Sequence, residues 1–395
     1  MAINGTQNKP APRLFSLKDI PSLSSLEALV TQTASKAHYP LALEIQKNVP
    51  IYDCQNIDFK NEASLSALQD EWHQVLLHGP GVLALKHLYT DLAPIDAANR
   101  AFASIIDNAN ARIWNSFSKH CLQDPDSFVQ YYSNPILALI CEAYLGPAYR
   151  ITTQTNIVKP QGQPQTCHRD YHLGFQTNEA AVQWPRAMHL ASQLLTLQGA
   201  VAHTDMPLAS GPTRLLPYSQ LLPDGFLAYR DPAHADFFLE HWVALPLSKG
   251  DGLFFNPALF HAAGANQTTD FDRSANLIQV SSAFGKPMES VDAVPLLEKC
   301  WPYLKGKYTK EGMSMQVEAC VRAVAEGYPF PTNLDKRPPA PGGMAPERAA
   351  TGVQSARGWV GGGEGNAGDE ADEAGFGGVG RWRRLELNGG LGLRR

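Results

Sequence analysis

Charge is scarce in this chain of 395 residues: 18% are charged, 33 basic against 38 acidic, for a formal net charge of −5. No basic cluster draws it toward nucleic acid or an anionic membrane surface, so neither is expected as a partner. Long apolar runs are also missing. None reaches the roughly 18 residues that a membrane span needs. The six cysteines (Cys54, Cys121, Cys141, Cys167, Cys300 and Cys320) include no CxxC pair. With no secretory leader visible, they read as reduced thiols of an intracellular protein. The first fifteen residues are polar and proline-bearing and lack an apolar leader segment. The chain ends in Leu-Arg-Arg, without the simplest peroxisomal address. The expected compartment is the cytoplasm, with the peroxisome kept open.

What is present is a large apolar content, 44% of residues, ordinary for a globular protein with a sizeable core. Residues 1–45 read as an N-terminal arm with a short helix near Ser22 to Ala37. Ser64 is placed to cap a helix carrying Leu65, Leu68, Trp72, Val75 and Leu76 on one face, and Gly79-Pro80-Gly81 stops it. Val82 to Leu85 follows as a short buried strand. A second helix is expected from Ala93 to Asn108. A third is punctuated by Ser133-Asn134 as cap, Pro135 at the first helical position and Gly146-Pro147 as stop.

From Tyr149 the pattern changes to short β-prone stretches between Gly, Pro, Asn and Asp: Ile151–Val158, Gln193–His203, Trp242–Leu247, Gly252–Phe255 and Leu277–Ser282. Such spacing predicts an antiparallel sandwich or barrel, and helices before strands predict an α+β domain over residues 46–337. Residues 338–395 form a tail that holds half of the 32 glycines in its last 55 positions. So few large apolar residues cannot offset the entropy of ordering it, and disorder is expected there.

One triplet carries chemistry. In Gln165-Thr166-Cys167-His168-Arg169-Asp170, residues 168 and 170 share a face if the segment is a strand. An imidazole and a carboxylate then point at one spot, and His261 is the best third ligand. Two histidines and one carboxylate leave coordination positions open, the set used by non-haem iron(II) oxygenases. An HxD triplet also arises by chance among 12 histidines. His172, His189 and His203 compete for the role, and zinc could use the same ligands. Arg273 follows His261 by 12 residues. If its strand returns beside the metal strand, its guanidinium can grip a carboxylate, as 2-oxoglutarate chelated to iron would require. The bland alternative is a surface arginine beside Asp270 and Asp272.

Four segments in order resemble the phytanoyl-CoA dioxygenase (PhyH) family of iron(II)/2-oxoglutarate oxygenases. They are Gly79 to Leu85, His168-Arg169-Asp170, Ser210-Gly211-Pro212-Thr213-Arg214 through Ser219, and Gly250-Asp251-Gly252 through His261 to Arg273. Together they span about residues 60 to 290. The resemblance implies a double-stranded β-helix, a jelly roll of the cupin-like kind with a mainly β core and helices packed on one sheet. It implies that His168, Asp170 and His261 are the catalytic iron ligands and that Arg273 holds the far carboxylate of 2-oxoglutarate. Gln154, Asn156 and Thr166 are further candidates for the cosubstrate pocket, with cross-strand hydrogen bonding as the plain alternative for the first two. Arg169, between two ligands, points away and is not expected to be catalytic. Tyr218-Ser219-Gln220 departs from the family's Gly-Ser-His. Ala275 stands where the family often has Ser two residues after the cosubstrate arginine. Asp170 is a carboxylate, unlike the Gly or Ala of related halogenases, which disfavours halogenation.

The expected activity is hydroxylation of a C–H bond in a small organic molecule, consuming O2 and converting 2-oxoglutarate to succinate and CO2. Desaturation, epoxidation and ring formation use the same cofactors and stay open. Rivals of other classes are a noncatalytic jelly-roll binding module and a zinc hydrolase. Tyr171, His172, Phe175, Trp184 and His189 are candidates for lining the substrate pocket. Either a monomer or a homodimer is expected.

Overall fold

The computed structural model describes residues 11–18, 22–106 and 112–325. The expected tail over 338–395, the end of the second expected helix and the first ten residues of the arm lie outside them. In chain order the first elements are α1 (Leu23–Val30), β1 (Glu44–Gln46), β2 (Val49–Asp53), α2 (Glu62–Leu77), β3 (Val82–Lys86) and α3 (Ala93–Ile105). Next come β4 (Arg112–Ile113), α4 (Ser116–Gln123), α5 (Pro125–Tyr132), α6 (Pro135–Leu145) and β5 (Tyr149–Val158). These are followed by α7 (Asn178–Ala181), α8 (Arg186–Leu194), β6 (Thr196–Ala202), β7 (Thr213–Leu216), α9 (Gly225–Ala228) and α10 (Pro232–His241). The described residues close with β8 (Gly252–Phe255), β9 (Phe260–Ala263), β10 (Arg273–Ser282), α11 (Ala293–Glu311) and α12 (Met315–Val324).

The main sheet runs β1-β2-β3-β8-β6-β10-β5-β4. Among the described strands only β2 and β3 pair in parallel. A smaller sheet pairs β7 with β9 and is widened by single bridges, His168 to His261 on one side and Leu215 to Val243 on the other. Strand-like segments therefore fall on the two sheets in the chain order main, small, main, small, small, main, small, main. Four of them (β5, β10, β6 and β8) face the His168, β9, β7 and Val243 segments. That is a jelly roll, the double-stranded β-helix.

The period of two along each strand decides what each sheet face buries. On β8, Leu253 and Phe255 point into the barrel with Ala200, Ala202, Leu215, Leu245, Leu247 and Ala275. Phe254 between them points outward, with Leu197, Val201, Ile278 and Val280, into the largest apolar cluster, which α2, α4, α5, α6, α11 and α12 help to build. Each large side chain fully buried there contributes about 1.5–3 kcal/mol. The heaviest packing thus lies between helices and sheet, outside the barrel.

Local punctuation explains the element ends. Asn134 accepts hydrogen bonds from the N–H groups of Ile136 and Leu137, and Pro135 opens α6 as expected. Gly146 ends it at φ 84°. For α2 the expected cap moves: Asn61, not Ser64, closes the helix start, and Ser64 donates its N–H to the Asn61 side chain at 3.0 Å. Glu62 in the first turn complements the helix dipole. The first helix is shorter than its expected span, ending at Val30. Residues 242–247 make only bridges, through Val243 and Leu247, instead of a ladder. Pro246 within them has no N–H to donate.

Candidate metal centre and its cavity

His168 and His261 exchange both backbone hydrogen bonds, at 3.0 and 3.1 Å, while the Asp170 N–H donates to the Pro257 carbonyl at 3.0 Å. One bridge and its continuation thus do the work expected of a longer strand. Past Asp170 the backbone turns abruptly, with Tyr171 at φ 65° and ψ 150° and His172 at φ 39°. Such conformations in non-glycine residues cost on the order of 1–3 kcal/mol each and persist only where packing enforces them. Arg169 points away from the pair, buried at 1% exposure. Its guanidinium donates to the Ser219 and Leu222 carbonyls at 2.6 and 3.2 Å and lies over the Phe226 and Phe260 rings. Gly225 leaves it room, since a Cβ there would sit 2.1 Å from the guanidinium.

His168, Asp170 and His261 offer ligand atoms that all lie within 4.8 Å of one another. The Asp170 carboxylate is 3.5 Å from His168 Nε2 and 3.4 Å from His261 Nε2. Each histidine donates its Nδ1 hydrogen to a backbone carbonyl at 2.8 Å, Thr166 for His168 and Leu259 for His261. That fixes the tautomer and leaves each Nε2 lone pair facing the centre. His261 Nε2 is buried and has no hydrogen-bond partner among the described residues. A buried acceptor of this kind is costly unless something else occupies its lone pair, and a divalent metal ion fits. Burial, reinforced by neighbouring His261, pushes His168 down to about 4. Burial alone would raise Asp170, but His261, His168 and the Gln198 amide outweigh it and hold the carboxyl at about 2. Near neutral pH His168 and Asp170 are therefore in their metal-binding forms.

The trio opens into a cavity of about 500 Å³. Arg273, Gln154, Asn156 and Thr166 all line it. Arg273 is 5% exposed and has no carboxylate within salt-bridge distance among the described residues. It donates to the Gly211 carbonyl from Nη1, while its Nε is buried without a partner. Burial pushes it down to about 10. Gly211 is thereby explained: it sits at φ 73°, and a Cβ would meet the Ala265 carbonyl oxygen at 2.3 Å. Gln154 is already engaged at both ends of its amide, accepting from Arg112 and donating to Glu289 at 3.3 Å.

The other motif residues have structural partners. Asp251 accepts from the N–H groups of His87 and Ser248. Gln220 donates to the Gly79 carbonyl at 2.8 Å and presses on Gly81, so two of the four matched segments touch. Among the substrate-pocket candidates, Phe175 lines the cavity, whereas Tyr171, His172, Trp184 and His189 do not. His172 pairs with Ser192, His189 with the Ala181 carbonyl, and His203 with Asn99 and Tyr131, so none of the competing histidines joins the centre.

Sequence reading missed three residues of this site. Gln198 on β6 donates to Asp170 Oδ2. Arg112 on β4 stacks over Trp114 at 4.4 Å. Glu289, past β10, accepts from the Asn115 N–H at 2.9 Å as well as from Gln154. None carries a motif. Only the alternation along β6, which puts Gln198 on the same face as Ala200, pointed inward.

A jelly roll with a His/Asp/His centre and a buried arginine beside it defines a class of metal-dependent oxygenase. The sequence pattern of the family described as phytanoyl-CoA dioxygenase (PhyH) matches residues 58–275, and the chain belongs to that family. A curated relative, "Dioxygenase andF" of Emericella variicolor, is 26% identical over 182 residues, 42% of this chain and 57% of that protein. The chain thus spans a little over half the length of the relative it matches. Among solved structures, the non-heme alpha ketoglutarate dependent epimerase SnoN from nogalamycin biosynthesis matches at 20% identity and a TM-score of 0.41, covering 56% of this chain and 85% of SnoN. The carbocyclase SnoK from the same biosynthesis matches at 18% and 0.41, covering 62% of this chain and 91% of SnoK.

Proposed function

We propose that this chain is an iron(II)- and 2-oxoglutarate-dependent dioxygenase that hydroxylates a C–H bond of a small organic molecule. His168, Asp170 and His261 hold the iron, and Arg273 binds the far carboxylate of 2-oxoglutarate. The observation that carries this reading is Arg273, a buried cation without a carboxylate partner in the cavity that holds the triad. A zinc hydrolase or an inert jelly roll has no need of it. When bound, iron and 2-oxoglutarate supply the activation of O2, with succinate and CO2 as the cosubstrate's products.

The chain's own residues do the rest. The Thr166 and Leu259 carbonyls hold the two imidazoles in the ligating tautomer. Gln198 fixes one Asp170 oxygen. Thr166 and Asn156 offer polar contacts to the cosubstrate, and Gln154 lines the same cavity with its amide already engaged by Arg112 and Glu289. Phe255, Leu277 and Ala200 form apolar walls that keep water from the reacting carbon. No helix among the described residues is long and apolar enough to cross a membrane. A cytoplasmic monomer or homodimer acting on a free metabolite, with no nucleic-acid partner, completes the reading.

Anaerobic addition of iron(II) and 2-oxoglutarate should give a visible metal-to-ligand charge-transfer band that H168A loses. Succinate release across a metabolite panel then identifies the substrate; the mass of the product separates oxygen insertion (hydroxylation or epoxidation) from loss of two hydrogens (desaturation or ring closure), and its NMR spectrum separates the members of each pair.

A further inference from the structure

Part of the cavity wall is aromatic and basic. Arg112, Trp114, Phe175 and Met288 are among its lining residues, and Trp114 and Phe175, each 56% exposed, offer aromatic surface to a ligand there. Register puts Arg112 opposite Asn156 on β5, and Asn156 opposite Ala275 on β10. Arg112 therefore shares the inner face of the sheet with Arg273, two strands away and two residues off in register. Strand spacings place their Cα atoms about 12 Å apart.

The Arg112 guanidinium is held on two sides. Its Nη2 donates to Gln154, its plane rests on Trp114, and Gln154 is itself tied to Glu289. Its Nε is buried without a partner among the described residues. An arginine fixed this way is a preorganised cation lining the same cavity as the metal centre.

Resting on the function proposed above, we infer that Arg112 is the substrate-anchoring residue. The substrate it selects is an uncharged, largely apolar molecule that presents a carbonyl oxygen. The charges already close without the substrate: Arg112 and Arg273 balance Asp170 and Glu289, and iron(II) balances the 2-oxoglutarate dianion. An anionic substrate would leave an uncompensated charge in a half-buried site, whereas a carbonyl accepts from Arg112 at no such cost. Its apolar body lies across Trp114, Phe175 and Met288.

Equilibrium dialysis with matched probes tests this: 1-tetralone, the hydrocarbon tetralin and tetralin-1-carboxylate, against anaerobic iron(II)/2-oxoglutarate protein and against iron-free protein. The wild type should bind the ketone about tenfold more tightly than either of the others, the weight of one charge-assisted hydrogen bond. R112L should lose the ketone's advantage and keep tetralin binding. R112K, which keeps a cationic donor, should retain part of the advantage. In R112L the 2-oxoglutarate concentration for half-maximal charge-transfer absorbance should be unchanged, and circular dichroism should report the native fold. The inference is overturned if the carboxylate binds best, if no probe shows a preference, or if R112L keeps the ketone preference. A shift of the 2-oxoglutarate response in R112L would instead make Arg112 a cosubstrate ligand. A wild type that gives no band contradicts the proposed function, while dialysis with iron-free protein still reads Arg112.

Discussion

Individual side chains in the site divide into ligands and the groups that aim them. Gln198 aims Asp170. Replacing it with leucine should leave the fold intact and weaken iron binding by about tenfold to a hundredfold, the usual effect of losing a partner behind a ligand; competition with a ferrous chelator measures it. Under the function proposed above, Arg273 meets its anion only when the cosubstrate binds. In R273Q the 2-oxoglutarate concentration needed for half-maximal absorbance should rise about tenfold or more, with iron binding unchanged. The two arginines differ in how readable they were. Arg273 stood out because it falls at a set distance after His261 in a motif-rich stretch. Arg112 lies more than fifty residues before His168 on a two-residue strand, and only the pairing of β4 with β5 brings it to the cavity. Gln198 was hidden for the same reason, as its meaning comes from a contact across the barrel.

Elements were legible wherever local chemistry alone sets them. The Asn134-Pro135 start and Gly146 stop of α6 are written in sequence, and N134A should cost about 1 kcal/mol by losing the cap, measured by denaturant unfolding. Elements that depend on neighbours were less legible. The segment of His168 and Asp170 is an isolated bridge held by β9, and residues 242–247 reach the small sheet without a ladder because Pro246 interrupts it. The Gly211 turn joins both kinds. Its positive φ is a local demand, yet its purpose is distant: its carbonyl receives the Arg273 guanidinium. G211A should destabilise the protein by about 2 kcal/mol, because a Cβ strikes the Ala265 backbone, and should weaken 2-oxoglutarate binding along with it.

Across the whole molecule, helices, main sheet and small sheet form successive layers, and two buried histidines sit between the first two. His120 is pushed down to about 4 and His203 to about 3, both chiefly by burial. An unfolded histidine titrates near 6.5, so below that pH the unfolded chain binds protons that the folded one refuses. Stability is therefore full above about pH 6.5 and falls as pH drops toward 4. Denaturation midpoints at pH 7.5, 6 and 5 should decline in that order, and H203N should flatten the slope. The residues proposed for the site lie between Arg112 and Glu289, and the last helix among the described residues ends at Val324. A chain truncated after residue 340 should accordingly keep iron and 2-oxoglutarate binding.

The most direct measurement is the visible spectrum of the purified protein after anaerobic addition of iron(II) and 2-oxoglutarate. A charge-transfer band should appear in the wild type, vanish in H168A and H261A, and require more 2-oxoglutarate in R273Q. A folded wild type that binds iron(II) yet gives no band would contradict the assignment of His168, Asp170, His261 and Arg273 to a 2-oxoglutarate-dependent iron centre.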